Sequence, residues 1–214
     1  MAGNIQNVKL EVLKNECTNY NKLSYALMQE VLGICDDLDN IRKYWTGKRI
    51  NSIIKIWNDN NIKITQSANY FTQKISSILE EIYEQYQLME KGTPEDVGFA
   101  FAESYRSIPL TDENTIKFDQ SYATKLISSI TKHNQNISSN LKNLISKLDG
   151  MQAYSDSLKT LATNYKNSAT EIQKTISTIA NNIDTEAKKA LNDVKLTEQY
   201  NEDDAKRAAS TSTK

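Results

Sequence analysis

Turn-forming residues are scarce in this sequence of 214 residues, which contains only 6 Gly and 2 Pro. A β fold with many turns and a loop-rich enzyme both need more of them, so the sequence argues against these two classes. A single His excludes a metal site built on several histidines. The balance of 26 basic and 27 acidic residues argues against a strongly basic nucleic-acid binder. The length predicts one domain or two small ones.

Long apolar runs are absent as well. No run approaches the roughly 18 apolar residues of a membrane span, and residues 1–10 lack the apolar core of a signal peptide. We therefore expect no integral membrane segment. The protein is expected either to stay in the cytoplasm or to leave the cell by a route that does not read an N-terminal signal peptide. Hydrophobic residues make up 38% of the chain, which favours long helices that each carry one narrow apolar stripe.

Apolar residues recur at steps of three and four in four long series, the spacing of one helix face. Trp45-Thr46-Gly47 separates the first two series, and Leu148-Asp149-Gly150 separates the last two. Turns this short fold the flanking helices back on each other as antiparallel hairpins. The predicted fold is therefore all-α, an elongated antiparallel four-helix bundle made of two helical hairpins. Gly33 is the expected weak or bent point of the first helix. The series span residues 20–45, 50–82, 123–151 and 154–187.

These patterns divide the chain into four segments. Residues 1–90 form the first hairpin, and residues 91–117 are a linker that contains both prolines and has room for a short helix. Residues 118–204 form the second hairpin, and the small and polar residues of 205–214 predict a disordered tail. The apolar patterns of the two hairpins match closely enough to indicate a tandem repeat.

The first turn, Trp45-Thr46-Gly47, resembles the turn of the WXG proteins, the early-secreted-antigen-like substrates of type VII secretion. Leu148-Asp149-Gly150 is similar to the Leu-x-Gly variant of the related LXG proteins. This family also carries a Tyr-x-x-x-Asp/Glu signal at or after the end of its second helix. Tyr86 to Glu90 and Tyr200 to Asp204 both fit that signal. Unlike most members, which pair as two chains, this chain has both hairpins, and its second hairpin has no Trp.

The resemblance implies a non-enzymatic helical substrate or partner protein of a type VII-like secretion system. The membrane ATPase of that system would read the signal at Tyr200 and Asp204, and Tyr86 and Glu90 form the second signal candidate. An effector protein and further copies of the chain are the other expected partners. The residues that would form the hairpin turns are Trp45, Gly47, Leu148 and Gly150.

No sequence motif indicates catalysis, cofactor binding or metal binding. The chain has no Gly-rich phosphate loop and no Cys-x-x-Cys, and His133 has no nucleophile motif beside it. We expect His133 at an interface or facing solvent. Cys17 and Cys35 lie roughly 27 Å apart along one helix, too far for a disulfide, and are expected to be small, buried thiols. The sequence therefore predicts neither an enzyme nor a nucleic-acid binder.

Two other classes of protein fit parts of this pattern. A cytoplasmic coiled-coil adaptor, or an effector chaperone with no export role, would have the same bundle but would not need the signal at 200–204. A pore-forming toxin subunit is disfavoured, because the apolar stretch 97–102 is far too short to enter a membrane. The sequence leaves open whether the apolar seams close within one chain or between chains.

Overall fold

A computed structural model describes residues 9–69, 75–91, 106–115, 117–151 and 156–211. Throughout these residues the structure consists of helices, one turn and one extended segment, without a β-strand. The prediction of an all-helical fold is confirmed. The helices are α1 (Leu10–Ile41), α2 (Lys48–Asn69), α3 (Ile75–Lys91), α4 (Gln120–Met151) and α5 (Asp156–Thr211).

Steps of three and four residues place the buried side chains of each helix on one face. Most residues of the apolar series of α1 and α4 are buried, and five hydrophobic residues outside the series are buried with them: Leu13, Cys17, Met28, Cys35 and Leu126. Along α5, Ile183 and Ala187 continue the predicted stripe, whereas its members from Tyr154 to Ile179 lie outside the described side chains. The buried stripe residues are Tyr20, Leu27, Val31, Ile34, Leu38 and Ile41 on α1, and Ala123, Ile130, Ile137, Leu141, Leu144 and Leu148 on α4.

The two halves of the chain share one core. α1 packs most extensively against α4 and also contacts α2 and α3, while α5 packs against α4 and α2. α1 and α4 run antiparallel, because Glu16 near the start of α1 pairs with Lys147 near the end of α4, at 2.8 Å. Side chains of α1 and α4 are buried against each other, so both halves of one chain contribute to the same core.

The second arm of the first hairpin is described on both sides of a gap. The apolar series indicated one helix from residue 50 to 82, and the structure gives α2 and α3 along this arm, with residues 70–74 outside the described residues. Part of the predicted linker packs against α2. Residues 106–111, which we call the strap, run extended along α2, with the Ile108 side chain only 1% exposed.

The second turn and the C-terminal tail differ from their predictions. Leu148 and Gly150 were expected to form a turn, but α4 continues through Met151 and places both in its last turn. One glycine alone does not end a helix, since it costs only about 1 kcal/mol relative to Ala. Residues 205–211 were expected to be disordered, but α5 continues through Thr211. This segment holds five strong helix formers, Ala205, Lys206, Arg207, Ala208 and Ala209, and has no proline.

Candidate functional site

The Trp-x-Gly turn lies between α1 and α2 and is bonded to the residues that lead into α4. The Trp45 ring is 3% exposed and meets the Phe118 ring edge-on, with centroids 5.1 Å apart. The Thr46 N–H donates to the Lys117 carbonyl at 2.9 Å, and the Asp119 N–H donates to the Tyr44 carbonyl at 3.1 Å. The turn of the first half is therefore held by the entry to the second half.

Gly47 has the backbone conformation that the turn prediction requires of it. Its φ is +103°, in the region that residues with a Cβ rarely adopt. Its N–H donates to the Thr111 hydroxyl at 3.0 Å. An added Cβ would meet nothing closer than the Thr115 carbonyl oxygen, at 3.8 Å. The need for glycine here therefore comes from conformation and not from lack of space.

Two stacked tyrosines cover the same end of the molecule. The rings of Tyr44 and Tyr122 lie 3.5 Å apart and within 5° of parallel. Lys125 lies over the Tyr122 ring at 4.7 Å, and Lys117 lies over the Tyr44 ring at 5.9 Å. Hydrogen bonding with Tyr44 raises the pKa of the Tyr122 hydroxyl. The stack is a second contact between the first turn and α4.

Three asparagines of α2 hold the strap by its main chain. Asn58 accepts a hydrogen bond from the Ile108 N–H at 3.0 Å and donates one to the Ile108 carbonyl at 2.8 Å. Asn51 makes the same pair of bonds with the main chain of Thr111, at 2.8 and 2.9 Å. Asn61, which the sequence indicated only as a polar residue in a seam, donates to the Arg106 carbonyl at 3.1 Å. These side chains satisfy main-chain groups that would otherwise be buried without partners.

α5 extends past the rest of the bundle at the end where the Trp-x-Gly turn lies. Arg49, in the first turn of α2, forms an ion pair with Asp193 of α5. Beyond Val194, every side chain from 195 to 208 is exposed. We call residues 195–211 the α5 overhang; at about 1.5 Å per residue it is roughly 25 Å long. The overhang follows from the unequal lengths of the two helices of the second half, since α4 has 32 residues and α5 has 56.

The overhang carries the first signal candidate on its outer side. At about 100° per residue, Leu196 and Tyr200 lie on the side of α5 away from the buried Ile183 and Ala187. Leu196 is 51% exposed and Tyr200 is 70% exposed. Asp204 is exposed one turn beyond Tyr200 and lies 4.0 Å from Arg207. The tyrosine and the aspartate thus share one accessible helix face.

The second signal candidate lies at the opposite end. The Cys17 thiol near the start of α1 lies 3.7 Å from the Leu79 carbonyl, which places α3 beside the first turns of α1. Tyr86 is half-buried and packs against the core. The side chain of Glu90 lies outside the described side chains. Leu148 and Gly150, at the end of α4, lie at this end too and do not meet the Trp-x-Gly turn.

Both cysteines are buried, as predicted, and neither forms a disulfide. Burial raises the pKa of the Cys17 thiol to about 12 and also raises that of Cys35. Both thiols therefore stay protonated at neutral pH. Across the described ranges, no cluster of three His, Cys, Asp or Glu residues is arranged to bind a metal ion.

No helix in the described part of the chain is long and apolar enough to span a membrane. Comparisons with models of known protein families, with curated proteins and with solved structures gave no match.

Proposed function

We propose that this protein is a non-enzymatic helical substrate or partner protein of a type VII-like secretion system, recognised through Tyr200 and Asp204. The observation that carries the proposal is the α5 overhang. It presents the Tyr-x-x-x-Asp pair on an exposed helix, and the Arg49–Asp193 ion pair fixes its base beside the Trp-x-Gly turn. In this proposal the protein resides in the cytoplasm until it is exported.

The proposal includes a self-contained pair of hairpins. α1, α4, α5 and the arm formed by α2 and α3 would close into one antiparallel four-helix bundle, in which one hairpin replaces the second subunit of the family's usual pair. The core shared by both halves and the docking of the first turn on residues 117–119 support this arrangement. A bundle closed in this way leaves the overhang for an external partner.

The exposure of the two tyrosines favours 200–204 over 86–90 as the signal. Aromatic rings are frequent anchors of protein interfaces, because a pocket of the partner can enclose them when they are accessible. Tyr200 offers most of its ring to solvent, whereas Tyr86 is committed to the core. We therefore assign the recognition role to the overhang and a packing role to Tyr86.

The charges of the overhang indicate the chemistry of the partner. Glu202, Asp203 and Asp204 form a run of three acidic residues that begins two positions after Tyr200. Leu196 and Tyr200 supply the exposed apolar area. The matching surface is an apolar pocket with a basic rim, and the membrane ATPase of the secretion system is the proposed carrier of it.

Export from a host with an intact type VII system tests the proposal. We expect the full chain to appear in the culture medium and the double variant Tyr200→Ala/Asp204→Ala to be retained. Loss of about 1.4 kcal/mol or more of binding free energy would reduce export about tenfold or more, if docking limits it. Circular dichroism of the purified variant must show that its helix content is unchanged.

The matched control is Thr197→Ala/Glu198→Ala, which removes one exposed polar group and one acid from the same overhang and leaves Tyr200 and Asp204 intact. It should be exported like the wild type. Equal export of the double variant and the wild type would refute the assigned signal. Retention of the wild type itself would refute the export role and favour an adaptor or an effector chaperone.

A further inference from the structure

The seam between α1 and α4 holds the chain's single histidine between two carboxylates. The His133 Nδ1 lies 2.6 Å from Glu30 Oε2, and its Nε2 lies 3.4 Å from Asp37 Oδ2. Asn136 donates to the other oxygen of Glu30 at 2.9 Å. His133 comes from the second half of the chain, and both carboxylates come from the first. The cluster therefore bridges the largest contact between the two halves.

Gly33 provides the space for this imidazole. A Cβ added at Gly33 would lie 2.4 Å from His133 Cε1 and 2.8 Å from its Nε2, closer than atoms can approach. The sequence suggested Gly33 as a weak or bent point of α1, which runs as a helix from Leu10 to Ile41. In the structure the glycine permits a close approach between two helices.

Only the protonated ring satisfies both carboxylates. Imidazolium has two N–H donors, one for each acid, whereas a neutral tautomer has one donor and turns a lone pair toward the other acid. Asp37 Oδ2 is buried and has no hydrogen-bond partner among the described residues, so its stabilisation depends on the ion pair with a charged His133 ring. The neutral state would leave a buried carboxylate oxygen against an acceptor nitrogen, which is unfavourable.

The other charged groups near the cluster do not compensate for that loss. Asp36 on α1 pairs with Arg106 of the strap, and Lys132 on α4 is exposed to solvent. On α5, opposite this stretch of α4, Asp184 and Lys188 pair with each other at 2.7 Å. Glu30 and Asp37 therefore dominate the environment of the ring, and they raise the pKa of His133.

We propose that this cluster is a proton-controlled clasp, in which the His133 imidazolium bridges Glu30 and Asp37 and holds the two halves of the chain together. The clasp is independent of the proposed export role. It is closed in mildly acidic conditions and is released as the pH rises.

The direction of the effect follows from proton linkage. A group whose pKa is higher in the folded state than in the unfolded state stabilises the fold fully below its unfolded value. For histidine that value is about 6.5, so the full contribution is expected below about pH 6.5. It is lost as the pH rises through the pKa of folded His133.

An NMR titration of the full chain tests the clasp directly, because the protein has one His and therefore one imidazole signal. We expect a titration midpoint above about 6.5 in the wild type. The midpoint should fall by about half a pH unit or more in Glu30→Gln and in Asp37→Asn. Gly33→Ala should lower it too, because the new Cβ displaces the ring from both acids.

Urea unfolding at pH 6 to 9 supplies the second readout. The ratio of folding constants, wild type over His133→Gln, should fall about twofold or more across this range, because the stabilisation by the imidazolium is lost as the ring gives up its proton. Lys147→Gln is the matched control, because it breaks the ion pair between Lys147 of α4 and Glu16 of α1 and leaves the His133 cluster intact. The ratio of folding constants, wild type over Lys147→Gln, should stay constant with pH.

Two results would overturn the proposal. One is a wild-type midpoint at or below 6.5, which needs no variant to be folded. The other is a ratio of folding constants, wild type over His133→Gln, that is as independent of pH as the same ratio for the Lys147→Gln control.

Discussion

At the scale of single residues, the described glycines illustrate three different situations. Gly47 is required for its positive φ, and Gly33 is required for the room it leaves to His133. Gly150 lies in the last turn of α4, and a Cβ added there would meet nothing within 4 Å. From the sequence alone, Gly47 and Gly150 are both predicted to be turn residues. It could not separate them, because the conformation of Gly47 depends on contacts with residues 111–119, which are distant in sequence.

Substitution of these two glycines by alanine should have opposite effects. Gly47→Ala should lower the free energy of unfolding by about 1–2 kcal/mol, because alanine is strained at this φ. Gly150→Ala should raise it by up to about 1 kcal/mol, because alanine is the better helix former and finds open space. Urea unfolding of both variants measures the difference. Equal effects of the two substitutions would contradict the distinction between turn and helix.

At the scale of elements, the helices could be predicted from the sequence and the strap could not. Steps of three and four residues indicate the buried faces of α1 and α4 directly. The strap has no period of its own, and its partners Asn51, Asn58 and Asn61 lie 45 to 60 residues away. The only available signal was that these three asparagines share one face of α2. Asparagines on a helix face do not by themselves indicate what they bind.

The strap gives a prediction at this scale. Asn58→Ala removes both partners of the Ile108 main chain, and should lower the free energy of unfolding by about 2 kcal/mol. Asn60→Ala is the control, because Asn60 bonds only the Ile56 carbonyl of its own helix. It should change stability by no more than about 0.5 kcal/mol. Urea denaturation of both variants provides the comparison, and the strap's role is refuted if Asn58→Ala is as mild as the control.

At the scale of the whole molecule, two halves meet along α1 and α4 and leave one helix end without packing. The all-helical fold and its buried stripes followed from the sequence, because burial of a helix face sets its periodicity. The position of the candidate signal relative to the first turn did not, because it depends on how α5 lies against α2. The Arg49–Asp193 ion pair fixes that register and joins residues 144 positions apart.

The central claim is that the α5 overhang is free of the bundle and available to a partner. Hydrogen exchange of backbone amides in the full chain at neutral pH tests it most directly. An isolated helix of about this length is only marginally stable in water. Amides of 195–211 should therefore exchange much faster than those around Ile183 and Ala187, which should be strongly protected. Equal protection of both segments would mean that the overhang is already covered, and would contradict the account.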